Sequence, residues 1–134
     1  MSATPDRHRP LALLVTHGAL GAELVKTAES ILGIQTDVCT LSNRGLGSDD
    51  LVAAIQERVR SLSAGRPVVL FTDLAAGSCG IASRRAEWGD RDVRRITGIN
   101  LPMLLEFFHY RDTLPLDELM ARLETKGKAG IALS

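Results

Sequence analysis

His17 is the residue in this sequence whose position best suits chemistry, because it stands where a buried strand is predicted to end. The apolar run of residues 11–15 breaks at Thr16, and the small residues Gly18 and Ala19 follow His17. Small neighbours leave room for a bulky group to approach the imidazole ring. A neutral imidazole is a nucleophile and a proton acceptor near neutral pH. We therefore consider His17 the candidate catalytic residue, with a ring hydrogen-bonded to a loop carbonyl as the ordinary alternative.

Asp73 is the partner that we expect for His17, because it follows a second apolar run, residues 67–72. Ligands of open α/β sheets bind beyond the carboxyl ends of the strands. If the two strands are neighbours, the carboxylate can hold one ring nitrogen of His17, fix the tautomer and leave the other nitrogen as the nucleophile. The alternative role for Asp73 is to cap the helix that comes next.

Gly77 and Ser78 are predicted to start that next helix. Amides at a helix start can bind phosphate oxygens, and the Ser78 hydroxyl adds a donor; an ordinary serine N-cap is the alternative. The sequence has no GxxxxGK[ST] motif, and residues 18–21 (GALG) do not form GxGxxG, so nucleotide binding has weak support. Ser78 also lacks the GxSxG elbow of a hydrolase nucleophile.

No metal site is expected, because no second His, Cys or acid stands at ligand spacing from His17. The two cysteines, Cys39 and Cys79, form no CxxC pair, and we expect both to be reduced and buried. Cys79 stands at a helix start, where the pKa of a thiol can fall. We expect neither a metal nor another cofactor.

The segments that must position these residues alternate between strand and helix. The predicted strands are residues 11–15, 36–41, 67–72 and 93–97, and the predicted helices are residues 19–32, 48–62, 78–88, 100–110 and 115–126. This alternation predicts an α/β fold with a doubly wound, mostly parallel sheet of four to five strands and helices on both faces. A weakly apolar segment, residues 129–133, could add one short strand.

Several residues mark the boundaries and the order of these segments. Ser48 and Asn100 are predicted to cap their helices, and Gly127 to end the last one. Arg94 and Arg95 lie within the fourth strand. Because a central strand cannot place both side chains in water, we expect that strand at the edge of the sheet.

The composition is typical of a single soluble domain. The chain has 134 residues, with 16 basic and 16 acidic side chains and a pI of about 6.8, so it lacks the basic surface of a general nucleic-acid binder. No apolar run approaches the ~18 residues of a membrane span, and the run after the N-terminus is too short for a signal-peptide core. We expect a cytoplasmic protein with a flexible tail, residues 1–10, and one domain, residues 11–134.

Three segments resemble the IIA component of the mannose family of the sugar phosphotransferase system. They are residues 13–33 (LLVTHGALGAELVKTAESILG), 68–78 (VVLFTDLAAGS) and 96–106 (ITGINLPMLLE). The resemblance implies that His17 accepts a phosphoryl group from the phosphocarrier HPr and passes it to a separate IIB protein, with Asp73 hydrogen-bonded to the ring. It also implies a homodimer that exchanges a C-terminal edge strand, and contact with the membrane only through the permease complex.

The same resemblance gives the remaining site residues their expected roles. Nε2 of His17 attacks phosphorus in line, and amides near Gly18, Gly77 and Ser78 bind the phosphoryl oxygens. Metal and nucleotide are not required for this transfer. The sequence departs from the family at the Gly-Gly-Ser-Pro turn, where Ala76 replaces a glycine and Cys79 replaces the proline, which puts the role of Ser78 in doubt.

The sequence leaves three alternatives open. The first is a regulatory module of the same system, whose His17 phosphorylation state controls a partner instead of transport. The second is the phosphoryl-donor subunit of a dihydroxyacetone kinase, which shares the fold. The third is a small-molecule binding domain in which His17 is a plain ligand contact. The identity of the sugar is not encoded in this chain.

Overall fold

The computed structural model describes residues 9–62 and 64–134. Over these residues the chain forms β1 (Leu11–Thr16), α1 (Leu20–Leu32), β2 (Val38–Ser42), α2 (Ser48–Ser61), β3 (Val68–Thr72), α3 (Ser78–Arg85), β4 (Val93–Thr97), α4 (Leu101–Tyr110) and α5 (Leu116–Ala129). The strands form one sheet in the order β2-β1-β3-β4, and each neighbouring pair is parallel. The predicted doubly wound α/β fold is confirmed.

The two central strands, β1 and β3, are buried along their whole length because helices cover both faces of the sheet. On one face, Leu14 and Phe71 pack with α1, α4 and α5. On the other face, Leu13 and Leu70 pack with α2 and α3. The outer strands are only partly buried, and the predicted edge position of β4 is confirmed.

The direction of the chain across the sheet reverses between β1 and β3. After β1 the chain forms β2 on one side, and it then returns past β1 to form β3 on the other side. The loops after β1 and β3 therefore diverge and leave a crevice at the carboxyl ends of the two strands. Val15 of β1 lies opposite Thr72 of β3. This register brings the residues that follow, His17 and Asp73, to the same edge.

Several predicted element bounds are wrong by a few residues. β2 begins at Val38 because Asp37 adopts a left-handed φ of 59°. Ser48 lies inside α2 and does not cap it; Gly47 is the N-cap residue, and Ser48 Oγ accepts a 2.9 Å hydrogen bond from Arg85. Helix α3 ends at Arg85, short of the predicted residue 88.

Gly127 does not end the last helix, which continues to Ala129. A Cβ at Gly127 would lie 2.8 Å from Met103 Cε, and the Gly127 carbonyl accepts a 2.9 Å hydrogen bond from Asn100 Nδ2. The glycine therefore allows α5 to pack closely on α4. Asn100 is the predicted N-cap of α4, and this is confirmed, since its Oδ1 accepts a 3.0 Å hydrogen bond from Met103 N.

The two ends of the chain differ from the simplest expectation. Most of the predicted tail, residues 1–8, lies outside the described residues, but Pro10 is buried. Arg9 pairs with Asp37 and Asp112 at 3.8 and 3.1 Å. Residues 131–134 form neither helix nor strand. Among the described helices, none is both long and apolar enough to span a bilayer.

Candidate functional site

His17 lies at the carboxyl end of β1, in a turn built from small residues. Gly18 has a φ of 56°, a left-handed conformation that glycine adopts without strain. Thr16 Oγ1 accepts a 2.7 Å hydrogen bond from Gly21 N, which ties the end of β1 to the first turn of α1. The His17 side chain is 40% exposed. One part of the ring is thus held by the protein and another part faces solvent.

Asp73, the first residue after β3, contacts His17 twice. Its Oδ2 accepts a 2.9 Å hydrogen bond from the His17 backbone amide and lies 2.9 Å from His17 Nδ1. Its Oδ1 accepts a 3.0 Å hydrogen bond from Leu74 N. Burial acts to raise the pKa of Asp73, but the hydrogen bonds and the charge of His17 outweigh it and hold this pKa below its usual value. Asp73 binds the histidine and does not cap α3.

The ionised Asp73 determines the tautomer of His17, because a carboxylate only accepts hydrogen bonds. Nδ1 then carries the ring proton, and the lone pair of the neutral imidazole is on Nε2. Ser78 Oγ lies 3.2 Å from Nε2 and can donate its hydroxyl proton to that lone pair. The geometry thus leaves Nε2, the nitrogen remote from Asp73, as the nucleophilic atom.

Gly77 brings the first turn of α3 against the imidazole ring. A Cβ at this position would lie 2.8 Å from His17 Cε1 and 3.3 Å from Nε2, so a side chain cannot fit unless the ring moves. Gly77 is the N-cap residue and Ser78 the first residue of α3, so Ser78 is not the cap. Amides in the first turn of a helix have no acceptors within the helix and favour anions.

The Gly18 amide is already engaged by a residue that the sequence did not single out. Gly18 N donates a 3.1 Å hydrogen bond to Asn43 Oδ1, and Asn43 Nδ2 lies 3.4 Å from Ser78 Oγ. In the sequence, Asn43 belongs to a loop typical of a turn, residues 42–47. The available signal was its position after the carboxyl end of β2, which pairs with β1 so that Ser42 lies opposite Thr16.

Cys79 lies closer to the site than its sequence position indicates. One ligand atom each from His17, Asp73 and Cys79 falls within 4.8 Å of the others; the neighbour Asp73 was expected, but the proximity of Cys79 was not. Burial and the charge of Asp73 raise the pKa of the Cys79 thiol to about 11, in contrast to the lowering considered from the sequence. The thiol is therefore protonated at neutral pH, a poor state for metal binding. Both cysteines are free, Cys79 buried as expected and Cys39 only partly so.

Comparison with known proteins identifies the family of this chain. Residues 12–124 match the family described as the IIA component of the fructose phosphotransferase system. The chain belongs to this EIIA family. The "PTS system mannose-specific EIIAB component" of Escherichia coli (strain K12) is 31% identical over 118 residues, which are 87% of this chain and 36% of that protein. The chain thus spans about a third of the length of this EIIA relative.

Solved structures of EIIA proteins have the same architecture. The phosphotransferase system component EIIA from Streptococcus agalactiae is 26% identical and matches with a TM-score of 0.81, over 92% of this chain and 95% of that chain. The mannose/sorbose specific IIA subunit from Enterococcus faecalis is 22% identical and has a TM-score of 0.80, over 94% and 95% of the two chains. The second match shows the shared fold alone.

Proposed function

We propose that this EIIA domain is a phosphoryl carrier that accepts a phosphoryl group from phospho-HPr on His17 Nε2 and passes it to a separate IIB protein. The observation that supports this most directly is the 2.9 Å contact between Asp73 Oδ2 and His17 Nδ1. It holds the ring by one nitrogen and leaves the other beside Ser78 at the start of α3. Family membership adds the class of partner.

The transfer step follows from the positions of the two ring nitrogens. The lone pair of Nε2 attacks phosphorus, the new Nε2–P bond forms, and the P–N bond to the donor histidine breaks and returns its electron pair to the donor ring. The proton on Nδ1 stays between the ring and Asp73. The His17 ring gains positive charge as the bond forms, and the Asp73 carboxylate offsets that charge. The step exchanges one nitrogen–phosphorus bond for another. It is therefore nearly isoenergetic and can run in both directions.

The phosphoryl oxygens require donors on the side of the ring that faces α3. The amides of the first turn of α3 and the Ser78 hydroxyl fulfil this role, and the α3 dipole adds favourable potential for the negative group. Gly77 allows the ring to approach this turn. The Gly18 amide contributes only if Asn43 moves away from it, since Asn43 Oδ1 accepts its hydrogen bond.

The remaining partners stay predictions of the same proposal. A homodimer with an exchanged C-terminal strand is supported by the outer edge of β4 and by the exposed Ile131 and Leu133 beyond α5. A cavity of about 600 Å³ lies beside that edge and is lined in part by Ile96, Met120 and Ile131. Contact with a membrane is expected only through the permease complex, and the cytoplasmic location stays a prediction.

Phosphorylation by phospho-HPr is the direct test. We expect the wild-type domain to acquire a label that is labile in acid and stable in base, and His17→Ala to acquire none. His109→Ala is the matched control, because His109 is exposed on α4, and it should be labelled like the wild type. The proposal is overturned if the wild type stays unlabelled while another EIIA protein is labelled in the same mixture, or if the label persists in His17→Ala.

A further inference from the structure

We propose that Asn43, in the loop between β2 and α2, is a phosphoryl-binding residue whose side-chain amide contacts the phosphoryl group on His17 Nε2. The inference rests on the proposed function and adds a residue to it. Asn43 lies on a third element of the site, in addition to the loops after β1 and β3. Its side chain connects these two loops, from Gly18 N at 3.1 Å to Ser78 Oγ at 3.4 Å.

The orientation of the Asn43 side-chain amide follows from its neighbours. The backbone N–H of Gly18 can only donate, so the atom of Asn43 that faces it must be Oδ1. The NH₂ group therefore points toward Ser78. Because Ser78 Oγ is itself 3.2 Å from His17 Nε2, the amide donors of Asn43 lie on the side of the ring where a phosphoryl group would bind.

The hydrogen bonds of the unphosphorylated site form a chain with a single direction. Asn43 Nδ2 donates to Ser78 Oγ, the Ser78 hydroxyl donates to Nε2, and Nδ1 donates to Asp73. Phosphorylation removes the Nε2 lone pair, so the Ser78 hydroxyl loses its acceptor. The phosphoryl oxygens replace that acceptor, and the second N–H of the Asn43 amide, which no bond to Ser78 uses, can donate to them as well.

The backbone of Asn43 holds the loop independently of its side chain. Its amide donates to the Thr16 carbonyl at 3.2 Å, and its carbonyl accepts a 3.1 Å hydrogen bond from Leu46 N. A substitution at this position keeps both bonds. The side chain is thus available for a role in the site, and its loss can be tested without loss of the loop.

Arg44, the next residue, adds positive charge on the same loop. Its Nη2 atom lies 3.1 Å from the position that a Cβ on Gly18 would occupy, so the guanidinium covers the residue beside His17. The side chain is exposed. Among the residues that the structure describes, its guanidinium forms no ion pair and no hydrogen bond. This charge favours the doubly negative phosphoryl group that Asn43 is proposed to contact.

The experiment compares Asn43→Asp and Asn43→Ala with the wild type in transfer from phospho-HPr. The aspartate is isosteric and replaces the donor by a negative acceptor, so we expect kcat to fall about 100-fold; the alanine removes the donor, for a fall of about 10-fold. The KM for phospho-HPr and the unfolding midpoint should stay near the wild-type values. Thr125→Asp adds the same charge on an exposed part of α5 and should transfer normally.

The outcomes separate this inference from the proposed function. Labelling of wild-type His17 is established first, and its failure overturns the proposed function. With that label in place, wild-type rates in both Asn43 variants overturn the role of Asn43 alone. If transfer is slower in both variants only in proportion to a smaller folded fraction, the role of Asn43 is overturned as well. A Ser78→Ala, Asn43→Ala double mutant should lose less than the product of the two single losses, because both act on one group.

Discussion

The two ends of the sheet both concentrate charged side chains, but they use them differently. At the amino end, Asp37 Oδ2 lies 2.9 Å from Arg66 and 3.8 Å from Arg9, and Arg111 is 2% exposed. At the carboxyl end, Asp73 holds a histidine whose side chain is 40% exposed. The amino end covers most of the surface of its charged side chains, whereas the carboxyl end leaves a ring nitrogen of His17 accessible.

Arg111 shows what the enclosed charges do. Its guanidinium donates to the Thr36 carbonyl at 2.6 Å and the Asp37 carbonyl at 3.3 Å, and it lies 5.5 and 5.2 Å from the ring centroids of Phe107 and Phe108. Burial lowers its pKa to about 10, and the charge of Arg9 acts in the same direction, so the side chain is still protonated at neutral pH. The contacts hold the turn before β2, and this end therefore acts on stability.

The largest expected effect is on stability and tests that role. Arg111→Met should lower the free energy of unfolding by about 3 kcal/mol, because the Thr36 carbonyl loses its donor and the Asp37 carbonyl keeps only the 3.0 Å hydrogen bond from Ala12 N. His17→Ala should change it by less than about 1 kcal/mol, since that ring is partly exposed. Urea unfolding of both variants at neutral pH measures the difference. Equal losses would remove the distinction between the two ends.

Asp73 provides the next largest effect, on transfer. Asp73→Ala should lower kcat/KM for phosphorylation by phospho-HPr about 100-fold, because the ring loses both its orientation and the charge that offsets its own. Asp73→Asn removes the charge and the acceptor for Leu74 N, but its amide oxygen can still accept from His17, so its loss should be smaller. Nitrogen NMR of His17 should show the proton leaving Nδ1 in the alanine variant. Unchanged kinetics in both variants would remove the role assigned to Asp73.

The sequence predicted those features of the molecule that depend on residues close together in the chain. The apolar runs that became β1 and β3 are continuous because both faces of these strands are buried. Since His17 and Asp73 follow these two strands directly, their meeting needed only one assumption, that the strands are neighbours. That assumption is confirmed by the pairing of β1 with β3.

The parts that the sequence missed depend on contacts between distant segments. Asn43 looks like an ordinary turn residue until β2 is placed beside β1, and Cys79 looks remote from His17 until α3 is packed on the sheet. Gly127 looks like a helix stop, whereas its real constraint is the Met103 side chain on another helix. Residue type and spacing do not contain these distances, so no local pattern could supply them.

Acid should produce the smallest effect, and it acts on both ends of the sheet. The hydrogen bond from Arg66 lowers the pKa of Asp37; burial opposes this shift and the neighbouring charges add to it. Burial acts to raise the pKa of Asp73, but the contacts with His17 outweigh it and lower this pKa. A carboxyl whose pKa is lower in the folded state stabilises the fold when the pH is above its pKa in the unfolded chain, about 3.9. This contribution is lost as the pH falls through the pKa of the folded state. The free energy of unfolding should therefore fall below about pH 4. Asp37→Asn and Asp73→Asn should each flatten that fall in urea titrations, and an unchanged slope in either variant would show that its carboxyl keeps the same pKa in the folded and unfolded chain.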